Sequence, residues 1–404
     1  MSLDAHSNPA AIRVQLCAIF VSLELSRSTW LVTSLSPGSG EKMSQHAVPG
    51  GDLCGLRVLF AELRRRAEVR SGAVYPIVTI QEAGLDGFWL HRALEAEGIE
   101  SHVVDAASIA APRRRRRAKT DRLDGESLLR ALLAWLRGEP RVCSMVRVPT
   151  PAAEDRRRPS RERQALVAER VRHVNRIKGL LFSQGVCDYE PLGRNRRARL
   201  EALRSGDGRV LPERLKAQIG RELDRLELVL EQIKALEGER DALLRAACAP
   251  PAAEPAPSAA EAPMPKGVAA PPIPAMLMSL KGIGADFAAV LWSEGLCRSF
   301  ANRRQVAVYA GLAATPWCSG SINREQGVSK AGNPRLRTAM IQCAWLWLCH
   351  QRDTDLAHWF QERVRARPKA RKTTIVALAR KLLVALWKYV TQGIVIAGAV
   401  MKSA

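Results

Sequence analysis

The sequence contains no CxxC pair and no run of about 18 uncharged apolar residues, the length a helix needs to cross a bilayer, and it is poor in acid. The first absence counts against a zinc site, and the nine cysteines, scattered and odd in number, offer no disulfide framework. The second counts against a membrane-spanning protein. An apolar patch over residues 12–25 is interrupted by Arg13 and Glu24 and lacks a small-residue cleavage site, which argues against a signal peptide. A reduced cytoplasm is the expected location. The shortage of acid is the functional clue: 62 Lys+Arg against 40 Asp+Glu leave a net charge of +22 and a pI near 10.3, so the expected partner is a polyanion. The basic residues recur along the whole chain, as in a protein that lies along nucleic acid. At 404 residues, two or three domains are expected at roughly 100–200 residues each.

The stretch RRRRRAKTDRLD concentrates the chemistry. Arg113, Arg114, Arg115, Arg116, Arg117 and Lys119 form a phosphate clamp that runs into Asp121 and Asp124, two carboxylates on one helical face. The helix they open continues through Leu128, Leu129, Leu132, Leu133 and Leu136. A capping box explains the same pair of acids, because carboxylates are favoured in a first helical turn. Upstream, Val14 to Leu25 and Thr29 to Leu35 read as strands, Val48 to Asp52 as a loop and Leu53 to Val69 as a helix. Tyr75 to Ile80 reads as a buried strand with Glu82 just past its end, Gly84 to Glu97 as a helix, and Ile99 to Asp105 as a further strand. The order β-β-(β)-α-β-α-β-α is that of a ribonuclease H-like sheet. It sets Glu24, Glu82, Asp121 and Asp124 where one metal site needs them, and oxygen ligands of this kind suit Mg²⁺ or Mn²⁺.

Beyond an expected strand at Arg141 to Val148, Glu154 to Gln184 reads as a basic helix carrying Arg172, Arg176 and Lys178, and Leu211 to Leu244 as a second helix near heptad spacing. The pair is read as a coiled-coil arm through which the chain oligomerises. Residues 249–274 are almost all Pro, Ala, Glu and Ser and read as a linker. The expected organisation is an α/β domain over 12–150, a helical or coiled-coil region over 151–248, the linker, and a helical domain over 275–395.

In that last domain, Met276 to Glu294 reads as two short helices around Gly282-Ile283-Gly284, a helix-hairpin-helix signature in which backbone N–H groups and Lys281 meet a DNA phosphate. A plain helix–helix turn explains it equally. Residues 312–334 read as a polar loop, with Ser319 in a Cys-Ser-Gly-Ser turn followed by Arg324, Lys330, Arg335 and Arg337. The loop is either a phosphate contact or the seat of a nucleophilic serine, with the arginines stabilising the transition state. No nearby histidine fixes a base, and Cys318 is a weaker nucleophile candidate. Trp345, Trp347, Trp359 and Trp387 sit at helical spacing and read as core.

The ordered series QEAGLDGFWLHRALEAEGIESHVVDAASI, RRAKTDRLDGESLLRALLAWLRGEPRVCSMVRVPT, RERQALVAERVRHVNRIKGLLFSQGV, LMSLKGIGADFAAVLWSE and YAGLAATPWCSGSINREQGVSKAGNPRLRTAMIQ resembles the insertion-sequence transposases of the one-hundred-ten family. These are of the DEDD type, with a RuvC-like N-terminal domain and a serine-bearing C-terminal transposase domain. The resemblance implies a bacterial, nucleoid-associated DNA recombinase that uses Mg²⁺ and a structured noncoding bridge RNA. It also implies an oligomer, up to a tetramer, in which the acids of one subunit meet the serine of another. By motif, Glu82, Asp121, Asp124 and Ser319 match the family's glutamate, closing aspartates and serine. One position departs: the family's first-strand aspartate is here Glu24, within SLELSRSTW, and the added methylene moves the carboxylate against a Mg²⁺ geometry that tolerates little error. Two other functions share these features. One is a junction-resolving endonuclease using the acids alone, and the other an inactive remnant that still binds nucleic acid.

Overall fold

A computed structural model describes residues 16–39, 42–84, 87–109, 121–140, 142–249, 271–319 and 322–402; for residues 107, 121–123, 316–319 and 322–326 it describes the backbone alone. Arg113 to Lys119 and most of the expected linker lie outside the described residues. The chain divides into two compact units, residues 1–149 and 150–404.

The first unit is built on a five-stranded sheet of order β3-β2-β1-β4-β5. Its strands are β1 (Ile19–Glu24), β2 (Thr29–Leu35), β3 (Ser44–Pro49), β4 (Ile77–Glu82) and β5 (Glu100–Val104). β1 pairs antiparallel with β2 and parallel with β4, so the first strand is the middle of a mixed sheet. A central strand buried on both faces must be apolar at odd and even positions alike, and IFVSLE is buried from Ile19 to Leu23. Helix α1 (Leu53–Ser71) buries Leu56, Phe60, Leu63 and Ala67, one stripe at helical spacing, and starts where Asp52 accepts a hydrogen bond from the Gly55 amide at 2.8 Å. α1 covers one face of the sheet with α2 (Trp89–Ala96); α3 (Asp121–Leu136) covers the other through Leu128, Leu129 and Leu132.

Four expectations in this unit are corrected. Glu82 is the last residue of β4, not a residue past it. The helix expected from Gly84 begins only at Trp89, because Gly87 takes φ +72, which a right-handed helix does not admit. Arg141 to Val148 is no strand: among the described residues it makes a single bridge, Met145 to Val104, and the prolines at 149 and 151 withhold the donors a longer ladder requires. Val48, expected in a loop, belongs to β3.

In the second unit, α4 (Pro151–Asp155) and α5 (Arg158–Phe182) replace the single helix expected from Glu154. Pro159 lacks the amide to continue a helix and sits instead in the first turn of α5. α5 packs antiparallel against α7 (Glu213–Cys248): Arg163 meets Glu237 while His173 meets Glu222. Ile177 and Leu181 interleave with Ile219, Leu223 and Leu226, and α6 (Arg196–Ala202) closes that end with Leu200. A further helical core gathers α8 (Ile273–Ser279), α9 (Ala285–Leu291), α10 (Arg303–Tyr309), α11 (Pro334–His350), α12 (Asp355–Ala366) and α13 (Arg371–Gln392) around Trp347, Leu378, Leu382 and Leu386. Trp347 and Trp387 are buried, while Trp345 and Trp359 are only half-buried at the edge of this core. The polar loop expected over 312–334 is largely an antiparallel hairpin, β6 (Ala314–Ser319) and β7 (Ile322–Val328). Ser319 pairs with Ile322 at the end of the hairpin away from Ala314 and Val328, and Gly320 and Ser321 lie outside the described residues.

The seating of α3 hangs on a glycine. Ser22 Oγ donates to the Gly125 carbonyl at 2.7 Å, and a Cβ on Gly125 would lie 2.5 Å from Thr33 Oγ1. Gly125→Ala is expected to destabilise the first unit by about 1–3 kcal/mol, the usual cost of forcing a methyl into a packed contact. Urea unfolding read by the fluorescence of Trp30 and Trp89 checks this, and an unchanged midpoint would contradict it.

Candidate functional site: acids over the central strands and a serine on a hairpin

The alternation of β1 decides where its acid points. Ala18 and Phe20 pack with Leu128, Leu129 and Leu132 of α3, and Ser22 bonds to Gly125, so even-numbered residues face α3. Ile19, Val21 and Leu23 pack with Leu56 and Phe60 of α1 on the opposite face. Glu24 therefore lies on the α3 face. In β4, Val78 and Ile80 belong to the α3 core, which carries Glu82 to the same side. The two strands run in parallel register from Ile19 opposite Ile77 to Leu23 opposite Gln81, so Glu24 and Glu82 sit one step further on, at equal height on neighbouring strands about 4.8 Å apart.

α3 brings the third acid. Its turn at Gly125 lies against Ser22, while Leu133 and Leu136 line a cavity with Leu16 and Cys17 before the start of β1. The helix thus runs down β1 in the reverse direction, with its N-terminus at the end that carries Glu24. Asp121 is the first helical residue and Asp124 stands in the first turn, immediately before Gly125. Glu24 and Asp124 are half-buried and Glu82 is exposed, and Glu24 Oε2 is shielded from solvent. The structure brings Glu24, Glu82 and the turn bearing Asp121 and Asp124 to one end of one sheet face. Among the described residues no group of three acids, histidines or cysteines is close enough to hold a metal as it stands, and the Asp121 side chain is outside that description. The donor set, carboxylate oxygens only, has the chemistry that Mg²⁺ or Mn²⁺ takes.

The serine half is positioned from below. Gly311 and Gly332 bracket the hairpin at its base: Gly332 has φ +100, and a Cβ on it would lie 2.4 Å from the Tyr309 carbonyl. The next residue, Asn333, donates its amide to Tyr309 O at 2.7 Å and caps α11 by accepting from the amides of Arg335 and Leu336. Lys330 adopts φ +58, and its carbonyl accepts from Arg337 Nη1 at 2.7 Å. Ser319 ends β6 and Arg324 lies opposite Trp317 in β7. Arg335 is exposed and Arg337 half-buried at the start of α11.

Beneath this lies an acid that sequence reasoning missed. Glu294, 1 % exposed, sits in a π-turn, Trp292–Leu296, that continues α9. Arg161 of α5 donates to both its oxygens at 2.8 and 3.0 Å, and Asn333 Nδ2 donates to Oε2 at 2.9 Å. Tyr309 Oη donates to the Glu294 carbonyl at 2.9 Å, and buried Arg157 to that of Ser293 at 3.0 Å. Burial alone would raise the Glu294 carboxyl; the bonds from Arg161 and Asn333 outweigh it and hold the group below its ordinary range. One carboxylate thereby ties the basic helix α5 to the cap of α11 and to the base of the hairpin. An acid inside the apolar run VLWSEGL was the available signal.

The remaining sequence candidates are placed as follows. Arg172, Arg176 and Lys178 are exposed on α5 but each faces an acid, Glu169, Glu222 and Glu190 respectively, at 3.3, 2.9 and 2.9 Å. The pairs to Glu169 and Glu190 are surface pairs and worth little, whereas Glu222 is buried and also meets His173 and Arg225, so Arg176 serves the fold. Gly282 has φ +90 in the α8–α9 turn, where a Cβ would approach His350 to 2.9 Å; Gly284 is the cap residue before α9. The amide of exposed Lys281 donates to Val400 O and that of Ile283 to Leu280 O, so these two N–H groups serve the fold. Among the described residues, no helix is long and apolar enough to cross a membrane.

The profile described as "Transposase IS116/IS110/IS902 family" matches residues 275–359, and a second transposase profile, of the DEDD IS110 type, matches 39–183. A protein of Sinorhizobium fredii named "Putative transposase y4rJ" is 67% identical over 397 residues, covering 98% of this chain and 97% of its own. The chain belongs to the IS110 transposase family. More distant relatives of this transposase include the "Transposase for insertion sequence element IS1328" of Yersinia enterocolitica, 25% identical over 61% of this chain and 66% of its own. The "Insertion element IS110 uncharacterized 43.6 kDa protein" of Streptomyces coelicolor is 32% identical over 30% of each. The second profile spans Glu82, Asp121 and Asp124, and the first spans Ser319 and Glu294.

The Glu294 anchor has a defined pH dependence. Its carboxyl titrates near 4.5 when unfolded and lower when folded, so its stabilisation is complete above that value and is lost as pH falls through the folded pKa. At neutral pH, Arg161→Ala leaves a buried carboxylate without its main partner and is expected to cost on the order of 3 kcal/mol. The stability gap between the wild type and Glu294→Gln should narrow on acidification below 4.5, as read by thermal melts. A gap independent of pH would contradict the assignment.

Proposed function

We propose that this transposase is a DNA recombinase that cuts and rejoins its element's ends, with Ser319 as nucleophile and Glu24, Glu82, Asp121 and Asp124 holding Mg²⁺ or Mn²⁺. The observation that carries the reading is the convergence of the acids at one end of the central strands, in a chain whose family acts in transposition. The sheet order β3-β2-β1-β4-β5 with the first strand central supports a ribonuclease H-like, RuvC-like assignment for the first unit. When bound, the divalent ion supplies Lewis-acid stabilisation of charge on phosphoryl oxygens. The chain's own residues do the rest. The Ser319 hydroxyl releases its proton to water as Oγ bonds to phosphorus, the leaving oxygen departs with the electrons of the broken P–O bond and takes a proton from water, and Arg324, Arg335 and Arg337 neutralise the phosphate. The turn between α8 and α9 is read as a helix-hairpin-helix that touches the DNA backbone through Lys281 and Gly284. The basic segment Arg113–Lys119 is read as holding a structured guide RNA or DNA. Self-association through the α5–α7 arm completes the proposal; Val171 and Leu228 are exposed apolar residues on that arm.

The test incubates the full chain with its element's ends, the flanking noncoding RNA and Mg²⁺, and resolves protein–DNA adducts by denaturing electrophoresis. A covalent adduct is expected, falling by at least about three orders of magnitude in Ser319→Ala. Undiminished cleavage in Ser319→Ala would favour a junction-resolving endonuclease working through the acids alone, and binding without any adduct an inactive remnant. Glu24→Asp is expected to keep or raise cleavage, because the shorter carboxylate restores the family's residue; a clear loss would remove Glu24 from the site.

A further inference from the structure

A groove of about 860 Å³ lies between α10 and α13, and five cations stand on its walls: Arg303 and Arg304 from α10, Arg380, Lys381 and Lys388 from α13. No acid lines it. Among the described residues none of the five is in an ion pair. This sets the groove apart from the α5–α7 arm, where Arg163, Arg172, Arg176, Lys178, Arg196 and Arg197 all meet carboxylates. Five like charges gathered without counter-charge repel one another, a cost that a bound polyanion removes. The rest of the lining is apolar and includes Val308, 53% exposed. An apolar floor between cationic walls suits a sugar–phosphate backbone, whose deoxyribose faces are apolar and whose phosphates project sideways. Lys381 is held over the Trp359 ring at 4.8 Å, which fixes its direction. Lys381 and Lys388, seven residues apart on α13, are separated by about 10.5 Å along the helix, close to three base-pair steps of about 3.4 Å.

The groove is also continuous with the serine hairpin. Ala313 and Ala314 line it, and Ala314 opens the strand that ends at Ser319. Five residue steps of strand, with a register shift between Ala314 and Pro316, span up to about 17 Å, the rise of about five base pairs. We propose that this groove binds the backbone of duplex DNA about five base pairs from the phosphate presented to Ser319, and so sets which phosphate the serine reaches. The inference rests on the reading of Ser319 as the residue that meets DNA.

The test places a photoreactive benzophenone side chain at Val308 in the full chain, with the same group at exposed Val58 of α1 as control. Each protein is irradiated with a fluorescent duplex of the element end and, separately, with the flanking noncoding RNA. The expected result is a crosslink from position 308 to the duplex, mapping about five base pairs from the cleaved phosphate, at least about tenfold stronger than from 58. The combination Arg303→Gln, Arg304→Gln, Arg380→Gln and Lys388→Gln changes only groove side chains. It should lower the slope of log affinity for the duplex against log salt by about three to four. Crosslinking from 308 to RNA alone, to neither probe, or scattered along the duplex would overturn the proposal, as would an unchanged salt slope. Ser319→Ala must retain the crosslink: a crosslink without any serine adduct leaves the groove standing and removes the serine reading, whereas an adduct without the crosslink does the reverse.

Discussion

The alternation of side chains along one buried strand governs the first unit. Because β1 is central and pairs in parallel with β4, each of its residues belongs to one of two cores, and a slip of one residue would exchange them. The odd positions Ile19, Val21 and Leu23 must meet α1, and the even positions Phe20 and Ser22 must meet α3. Glu24 is the next even position. Its place beside α3 follows from burial of the four residues before it, and Glu82 follows from Val78 and Ile80 by the same rule. The hydrophobic effect that fixes the register thereby fixes where the carboxylates gather, and the Ser22–Gly125 contact fixes how closely the helix with the aspartates descends on them.

The second unit is governed by a different device, a carboxylate buried where three elements meet. Glu294 would be costly to bury alone; with Arg161, Asn333 and the neighbouring Arg157 it becomes a joint between α5, the π-turn after α9 and the cap of α11. The hairpin carrying Ser319 rises from that joint, between Gly311 and Gly332. The described strands carry Ser319 at the end of β6, on a base bracketed by Gly311 and Gly332 and tied to Glu294 through Asn333.

Most of the elements were legible because their periodicity is local. Thr29 to Leu35, the stripe Leu56, Phe60 and Leu63, and the long helices α5 and α7 declare themselves within a few turns of chain. The acids were legible as strand-end and helix-start positions, although only the sheet register shows that they share a face. What escaped depended on contacts between distant residues. The hairpin was hidden because β6 and β7 are held by pairing with each other, while neither TPWCS nor INREQGV alternates apolar and polar residues. Glu294 escaped because its partners Arg161 and Asn333 lie 133 and 39 residues away. The groove cations are divided between NRRQ and ARKLLVALWK, near opposite ends of the domain sequence, and only the packing of α10 on α13 unites them.

The central claim is that the alternation of β1 and β4 assembles a divalent-cation site with the first turn of α3. Its most direct measurement is Mn²⁺ binding to the full chain by electron paramagnetic resonance, without nucleic acid, in the wild type, Glu24→Gln, Asp124→Asn and Glu68→Gln, the last altering an exposed acid of α1. The account predicts that Glu24→Gln and Asp124→Asn each weaken binding by at least about tenfold while Glu68→Gln binds as the wild type does. Equal binding in all four proteins would contradict it.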